Sequence, residues 1–352
     1  MVNSNLENLT EELERDGCVF FRNFFPPTII EKAILEVNEY YDLYKPKANT
    51  AGGPAFMEWK NPAGEKTLDV MLDLYGKCPA LDTIFEKVLT DPTSSGILQI
   101  LAGNIKLRGY NIQRFTGAYD PPPAIGPAPM NHEWHRDARG EINIAIMLTD
   151  CEKPENGATA LIKGTHKFPY CPRKNCLFGP PYNFGKGLSF FLKNNFFNRL
   201  LAKKTLKNAT GAYGKKGDVY IFLNDTWHGR QPNLHGNKGM RLMIGCFPND
   251  IPYPDIVKPV SGEILNTLPP TFQKVLRPQP LNTGNRTLMD KIILSQTPPK
   301  LLSLFYWARL ERKFADLISL EVKLFYSFYT KNMQRVKSKS VRLLSKAAQK
   351  KG

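Results

Sequence analysis

Long apolar runs are missing from this chain of 352 residues. No stretch approaches the roughly 18 consecutive apolar residues that a membrane-spanning helix needs, so the sequence predicts no such helix. The first segment, MVNSNLENLTEELERDG, is polar and acidic, unlike a signal peptide. Cysteine is scarce, with six scattered residues, and a chain of this length needs no disulfide staples. These absences together predict a reduced, cytoplasmic protein.

Acidic residues are in deficit, with 32 Asp and Glu against 48 Lys and Arg and a net charge of +16. Such a balance favours an anionic partner. Half of the excess lies after residue 330, where no acidic residue occurs and eight residues are basic: Lys331, Arg335, Lys337, Lys339, Arg342, Lys346, Lys350 and Lys351. Aromatic and basic residues are not interleaved there as in a nucleic-acid-binding fold, so we expect no nucleic acid partner.

An aromatic amphipathic segment, residues 301–330, precedes the basic tail. An apolar face next to a basic flank is typical of a helix on an anionic membrane surface, which would fit a lipid or lipid-linked glycan substrate. Alternatively, the helix packs on the core and the tail is solvated. The sequence leaves both interpretations open.

The apolar pattern divides the chain into a domain at 1–250 and an extension at 251–352. Leu6, Leu9 and Leu13 predict a helix that ends at Gly17, followed by the strand CVFFRNFF; Pro26 and Pro27 then open a second helix. The middle of the chain holds short β-rich segments, namely IKLRGYNIQRF, INIAIML, ATALIKG, GDVYIFL and MRLMIGCF. We therefore expect a mainly β fold with flanking helices, for which a double-sheet jelly roll is one solution. Prolines after 250 predict an irregular connection, and Thr297 with Pro298 predicts the start of a helical C-terminal extension.

Histidine is also rare, with five residues, yet one of them stands in an H-x-D arrangement. In a strand, His135 and Asp137 would point to the same side. With His228, which follows another predicted strand, they would form the two-histidine, one-carboxylate triad of Fe(II) oxygenases. Arg241 opens the strand MRLMIGCF. If that strand ran back beside the one carrying His228, the guanidinium would lie near the metal, where it could bind the distal carboxylate of 2-oxoglutarate bidentately.

The order H-x-D, GDVYIFLNDTWHG and arginine resembles the phytanoyl-CoA dioxygenase family, which includes ectoine hydroxylase. The segments LTDCEKPENGATALIKGTHK and LERDGCVFFRNFFPP add to the resemblance, which covers about residues 9–250. It implies a double-stranded β-helix (jelly roll, cupin-like) core that uses Fe(II), 2-oxoglutarate and O₂, with ascorbate as an optional addition and succinate and CO₂ as by-products.

Carried over by position, the resemblance makes His135, Asp137 and His228 the iron ligands and Arg241 the anchor of the co-substrate. Gln113 would reach the co-substrate with its amide, or else would form only a cross-strand hydrogen bond. Because related halogenases have a small residue in place of the carboxylate, Asp137 favours hydroxylation.

Several alternatives remain beside this interpretation. Arg136 stands where a zinc peptidase H-E-x-x-H motif needs its second histidine, which excludes that class. Cys171 and Cys176 with His166 could bind structural zinc, but unpaired thiols are the simpler explanation. Arg230 could face an anionic substrate or be solvated. A non-catalytic oxygenase-fold binding protein and a membrane-associated scaffold are the competing functions, and the sequence does not identify a substrate.

Overall fold

The computed structural model describes these residues: 2–49, 55–60, 64–118, 140–167, 208–236, 238–249, 261–277 and 287–295. All of them belong to one compact unit, Met1–Gln296. The remaining unit, Thr297–Gly352, lies outside the described residues. The predicted C-terminal helix and the basic tail therefore lie outside them as well.

The N-terminal segment folds as its apolar pattern predicts. Helix α1 (Val2–Asp16) leads into strand β1 (Cys18–Phe21), and helix α2 (Pro27–Tyr44) follows, with a 3₁₀ turn at its end. Gly17 ends α1 with a positive φ of 77°, and its N–H donates to the Leu13 carbonyl at 2.8 Å. A Cβ at Gly17 would lie 2.4 Å from Thr226 Oγ1, so this junction requires glycine.

The rest of the chain alternates between helices and strands. The strands are β2 (Phe56–Lys60), β3 (Lys66–Met71), β4 (Ile105–Phe115), β5 (Ile142–Met147), β6 (Thr159–Ile162), β7 (Ala209–Gly211), β8 (Val219–Leu223), β9 (His228–Arg230) and β10 (Met240–Pro248). The helices are α3 (Pro79–Thr90), α4 (Pro92–Ala102), α5 (Gly262–Thr267), α6 (Pro270–Leu276) and α7 (Leu288–Ser295). All five β segments predicted from the middle of the sequence are confirmed as strands. Strands β2, β3, β7 and β9 and helices α3 and α4 were not predicted from the sequence.

Two antiparallel sheets form the core of the described structure. The large sheet has seven strands in the order β1-β8-β5-β10-β4-β3-β2, and the small sheet has the order β7-β6-β9. Neighbours along the large sheet are mostly distant in sequence, as in a jelly roll. The predicted fold class, a jelly-roll core with flanking helices, is confirmed.

Helices cover one face of the large sheet, and the small sheet faces the other. The main hydrophobic cluster joins α1–α4 to strand residues such as Tyr110, Ile144 and Ile221, all fully buried. A smaller cluster around Met147, Leu161 and Tyr220 lies between the two sheets. Since this second cluster fills only part of the sandwich, polar side chains can line the remainder.

The described parts of the segment after residue 250 contain three short helices, which differs from the predicted irregular connection. Ser261 caps α5 by accepting the Ile264 N–H at 3.3 Å, and Pro270 occupies the first turn of α6. Phe272 of α6 is fully buried, with ring centroids 4.7 Å from Phe85 and 5.3 Å from Tyr110. Pro270 marks the start of α6, because proline fits the first helical turn as well as it fits a loop.

None of the helices in the described part of the chain is long and apolar enough to cross a membrane.

Asp82 on α3 gives a prediction for the pH dependence of stability. Its side chain is only 2% exposed. Burial raises its pKa to about 7, against the opposing effect of the hydrogen bond from the Gly76 N–H. Because the folded pKa lies above the unfolded one, this carboxyl's contribution to stability is complete below about pH 4 and is lost as the pH rises towards 7.

We therefore expect Asp82→Asn to gain stability relative to the wild type as the pH rises, by about 1.4 kcal/mol per pH unit between roughly 5 and 6.5. Chemical denaturation at several pH values measures this difference. Asp42→Asn, at an exposed position on α2, is the control. A difference between wild type and Asp82→Asn that stays constant from pH 5 to 8 would contradict the assignment.

Candidate active site

His228 begins strand β9, directly after a turn that leaves the large sheet at the end of β8 and enters the small one. The imidazole is buried, and its ring lies 5.2 Å from the Phe222 ring in an edge-on arrangement. Nδ1 lies 2.8 Å from the Thr226 carbonyl oxygen. Since a carbonyl can only accept, Nδ1 carries a proton, and Nε2 is the ring nitrogen that a metal would use. This is the orientation that metal-binding histidines adopt.

The turn before His228 is tied to two other parts of the chain. Thr226 Oγ1 donates to the Gly17 carbonyl at 3.2 Å, and the Trp227 N–H donates to Thr165 Oγ1 at 2.9 Å. The buried Asp225 carboxylate accepts the Gly140 N–H at 2.8 Å. Gly140 is the first described residue after the H-x-D segment. The turn thus fixes both the histidine and the start of the chain that leads from H-x-D into β5.

Arg241 lies opposite, on β10, and two side chains hold its guanidinium. Nε donates to Gln113 Oε1 at 2.6 Å, and Nη1 donates to Thr159 Oγ1 at 2.6 Å. The guanidinium also lies 5.1 Å from the Phe115 ring centroid. Among the described residues no carboxylate pairs with Arg241. Two of its five N–H donors are therefore used for positioning, and the end of the fork can bind a carboxylate.

The route by which Arg241 approaches His228 differs from the prediction. Strand β10 does not pair with β9; it pairs with β4 and β5 in the large sheet, whereas β9 pairs with β6 in the small sheet. Thr159 of β6 connects the two sheets at this point, since it is the register partner of Arg230 on β9 and its hydroxyl accepts a hydrogen bond from Arg241. The approach is thus across the sandwich, because the turn before His228 changes sheets.

Gln113 is the register partner of Arg241 on β4, and its Oε1 accepts from that arginine. The cross-strand hydrogen bond considered for Gln113 is therefore present in the structure. Gln113 also lines the cavity described below, so the expected contact of its amide with a co-substrate stays a prediction.

His228, Arg241 and Gln113 line one cavity of about 650 Å³ between the two sheets. Arg230 lines it too, and is not simply solvated: its guanidinium lies 4.9 Å from the Phe115 ring and donates to the Thr67 carbonyl at 3.3 Å. Cys151 lies close to Arg241, and burial raises the pKa of this thiol despite the opposing effect of the arginine charge. The thiol therefore stays neutral and does not balance the positive charge of the guanidinium.

His135 and Asp137 lie outside the described residues, as do His132, Cys171 and Cys176. Within the part that is described, no three His, Cys, Asp or Glu side chains converge as a metal site would require. The iron-ligand assignment of His135, Asp137 and His228 therefore stays a prediction, with His228 the member whose surroundings are described.

Two other histidines, His166 and His235, also lie in the described part of the chain. His166 is fully buried in a 3₁₀ turn, and its Nε2 lies 3.0 Å from the Glu14 carbonyl oxygen at the end of α1. It does not line the cavity, and its contact with α1 stabilises the turn. His235 is exposed in the turn between β9 and β10.

Sequence reasoning missed Thr159 and Phe115, although both contact Arg241. Thr159 lies within the predicted strand ATALIKG, where a hydroxyl on the inner face of an otherwise apolar strand is the available signal. Phe115 ends β4, two residues after Gln113, and period-two alternation places both on one face.

These residues fit an iron and 2-oxoglutarate site on three grounds. The His228 tautomer presents Nε2 for a metal, the Arg241 fork has donors for a carboxylate, and the cavity that both line is large enough for a small dianion. The arrangement can hold a metal near one sheet and a carboxylate near the other.

One of two sequence comparisons with known proteins gives a match. The family model of phytanoyl-CoA dioxygenase matches residues 13–241. A sequence comparison with curated proteins gives no significant match.

Among solved structures, the α-ketoglutarate-dependent non-haem epimerase SnoN from nogalamycin biosynthesis aligns at 14% identity and a TM-score of 0.49, over 74% of this chain and 97% of its own. HygX from Streptomyces hygroscopicus, solved with nickel and 2-oxoglutarate, aligns at 13% identity and a TM-score of 0.45, over 70% of this chain and 88% of its own. AviO1 from Streptomyces viridochromogenes aligns at 16% identity and a TM-score of 0.46, over 70% of this chain and 96% of its own. Scores of this size carry no further conclusion about this chain.

The family match spans more than half of the 352 residues and includes both His228 and Arg241. The cofactors predicted from the sequence, Fe(II) and 2-oxoglutarate, are those of that family. The chain therefore belongs to the phytanoyl-CoA dioxygenase family.

Proposed function

We propose that the protein is an Fe(II)- and 2-oxoglutarate-dependent dioxygenase that hydroxylates a C–H bond of an organic substrate. The observation that carries the proposal is Arg241, an arginine without a carboxylate partner among the described residues, held by Gln113 and Thr159 in the cavity that His228 lines. A structural arginine would be expected to pair with a carboxylate, whereas this one presents its donors to the cavity.

The chain itself limits where the H-x-D segment can lie. Asp137 precedes Gly140 by three residues, and consecutive Cα atoms are about 3.8 Å apart, so the two Cα atoms are at most roughly 11 Å from each other. The Gly140 N–H is bonded to Asp225, which precedes His228 by three residues. This connection supports a site shared by His135, Asp137 and His228.

Each residue would have a separate task. His228 with His135 and Asp137 would hold the iron, and the bound iron and co-substrate would supply the oxidising chemistry. Arg241 would orient the co-substrate through its distal carboxylate, and its position between Gln113 and Thr159 would fix the direction of the fork. Phe222 and Phe115 shield the histidine and the guanidinium, which strengthens both interactions by limiting water.

The test is turnover under ¹⁸O₂ of purified protein with Fe(II), 2-oxoglutarate, ascorbate and a small-molecule extract. We expect succinate to form with loss of 2-oxoglutarate, and at least one product to gain the mass of one ¹⁸O atom. An epimerisation would give succinate without that gain in product mass. Binding of 2-oxoglutarate without any succinate would favour the non-catalytic binding protein.

We also propose that the eight basic tail residues attach the enzyme to an anionic membrane surface. These residues lie outside the described ones, so the proposal rests on sequence alone, and each Lys or Arg near such a surface contributes about 1 kcal/mol. We expect the full chain to float with vesicles containing phosphatidylserine, and a variant with all eight replaced by glutamine to remain in solution. If the full chain also remained in solution, the packed helix with a solvated tail would be the explanation; flotation of both proteins would show that the eight basic residues are not what attaches the chain.

A further inference from the structure

The described residues that line the cavity include few large apolar side chains. Twenty described residues line it, and only five of them carry large apolar side chains: Trp59, Leu68, Leu72, Phe222 and Met243. Ligand pockets are lined predominantly by apolar side chains with a few polar groups. A long acyl chain here would leave many polar groups without water or partners, which is unfavourable. The lining therefore disfavours a fatty acyl substrate.

Two facing glycines form the floor of the cavity at the end away from Arg241, and we call them the glycine floor: Gly109 on β4 and Gly245 on β10. They are direct register partners, and both line the cavity. Neither has a positive φ, so the backbone does not require glycine at either position. Glycine inside a strand often marks the place where a ligand approaches the backbone closely.

Polar atoms with complementary roles surround the glycine floor. Asn111 Nδ2, a donor, lies 3.1 Å from where a Gly109 Cβ would be. Asn143 Oδ1, an acceptor, lies 3.7 Å from the corresponding point at Gly245, and a carboxylate oxygen of Glu141 lies 2.7 Å from it. Arg108, which pairs with Glu141, completes the group.

In each of the two asparagines, the other polar atom of the side-chain amide makes a hydrogen bond. Asn143, only 9% exposed, donates its Nδ2 to the Asn224 side chain, and Asn111 Oδ1 accepts the Asp73 N–H at 3.3 Å. Among the described residues, no hydrogen bond is made by Asn111 Nδ2 or Asn143 Oδ1. One fixed donor and one fixed acceptor thus face the space above the glycine floor.

Trp59 lies at the edge of the same cavity and is 45% exposed. Its backbone carbonyl accepts from Thr67 Oγ1 at 3.2 Å, which ties β2 to β3 at this point. An exposed indole offers a flat apolar face, which the C–H face of a saturated ring can cover while the hydroxyl edges of that ring remain available for hydrogen bonds.

We infer that the glycine floor, with Asn111, Asn143 and Glu141 above it, binds a hydroxyl-rich saturated ring of the substrate, such as a glycosyl or cyclitol unit. A hydroxyl both donates and accepts, and so matches the donor of Asn111 and the acceptors of Asn143 and Glu141. The inference rests on the proposed function for the location of the substrate, since it concerns the same cavity as Arg241.

The test compares Gly109→Val with the wild-type holoenzyme under anaerobic conditions. Fe(II) and 2-oxoglutarate are added, and their charge-transfer band is recorded. Saturation-transfer NMR is then used in the apo and nickel-loaded states with a panel of neutral pyranosides and inositols, beside unbranched fatty acids. Gly262→Ala is the matched control, because a Cβ there meets nothing within 4 Å.

We expect pyranosides or inositols to bind the wild type and Gly262→Ala, and at least tenfold weaker binding to Gly109→Val with an unchanged charge-transfer band. Binding of no cyclic polyol, preference for fatty acids, or equal polyol binding by Gly109→Val would each overturn the inference. Absence of the charge-transfer band from the wild type would instead count against the proposed function, so the two failures are distinguishable.

Discussion

Replacing Arg241 by methionine is expected to raise the dissociation constant for 2-oxoglutarate by at least about 100-fold. A hydrogen bond to a charged group contributes about 1.5–3 kcal/mol, so losing a bidentate pair removes about 3 kcal/mol or more. Arg241→Lys keeps the charge but not the fork, and should give an intermediate loss. The measurement is anaerobic titration of Fe(II)-loaded protein with 2-oxoglutarate, followed by the charge-transfer band.

Arg230→Met is the matched control for this variant. Arg230 lines the same cavity and lies against the same Phe115 ring, at 4.9 Å compared with 5.1 Å for Arg241. It is, however, bonded to Thr67 on β3 and not to the Gln113–Thr159 pair. We expect less than a tenfold effect on 2-oxoglutarate binding. A larger loss from Arg230→Met than from Arg241→Met would make Arg230 the anchor and would reject the assignment of Arg241.

The elements that the sequence predicted well are those whose signal is local. The five β segments of the middle of the chain are short, β-branched and bounded by turn residues, and each became a strand. The end of α1 at Gly17 was predictable, because glycine readily adopts the positive φ that ends a helix and so marks the position by itself. Helix α6 was missed because prolines such as Pro270 are compatible with both a loop and a helix start.

The site was predictable only in part, since its geometry depends on pairing between distant strands. Spacing and residue type selected His228 and Arg241, and the family resemblance added Gln113; all three line one cavity. The contact between Arg241 and Gln113 depends on the register of β10 against β4, and the contact with Thr159 depends on two sheets facing each other. Local sequence encodes neither, because both join residues more than 80 positions apart in the chain.

The glycine floor also depends on pairing between distant strands. Gly109 and Gly245 look like ordinary interruptions of β-rich segments when the sequence is examined alone. The strand register makes them direct partners and places them beside Asn111 and Asn143, and neither fact can be predicted from local sequence. The proposed substrate class therefore depends on the arrangement of several strands, whereas the predicted metal ligands follow from a motif.

Replacing His228 by alanine is expected to abolish the charge-transfer band of the Fe(II)–2-oxoglutarate complex and to weaken Fe(II) binding by at least about 100-fold. Loss of outer-shell partners of metal ligands already costs 10- to 100-fold in affinity, and removal of one ligand of three should cost more. The protein should remain folded, because the hydrophobic core between the helices and the large sheet does not include His228.

His235→Ala controls for the loss of any imidazole, since His235 is exposed in the turn that follows β9. It should leave both Fe(II) affinity and the band unchanged. His135→Ala and Asp137→Ala, measured in the same titration, test the rest of the triad and should resemble His228→Ala. Retention of the band in Asp137→Ala would remove the carboxylate from the ligand set, and with it the argument that favours hydroxylation, because that argument depends on a carboxylate occupying the coordination position.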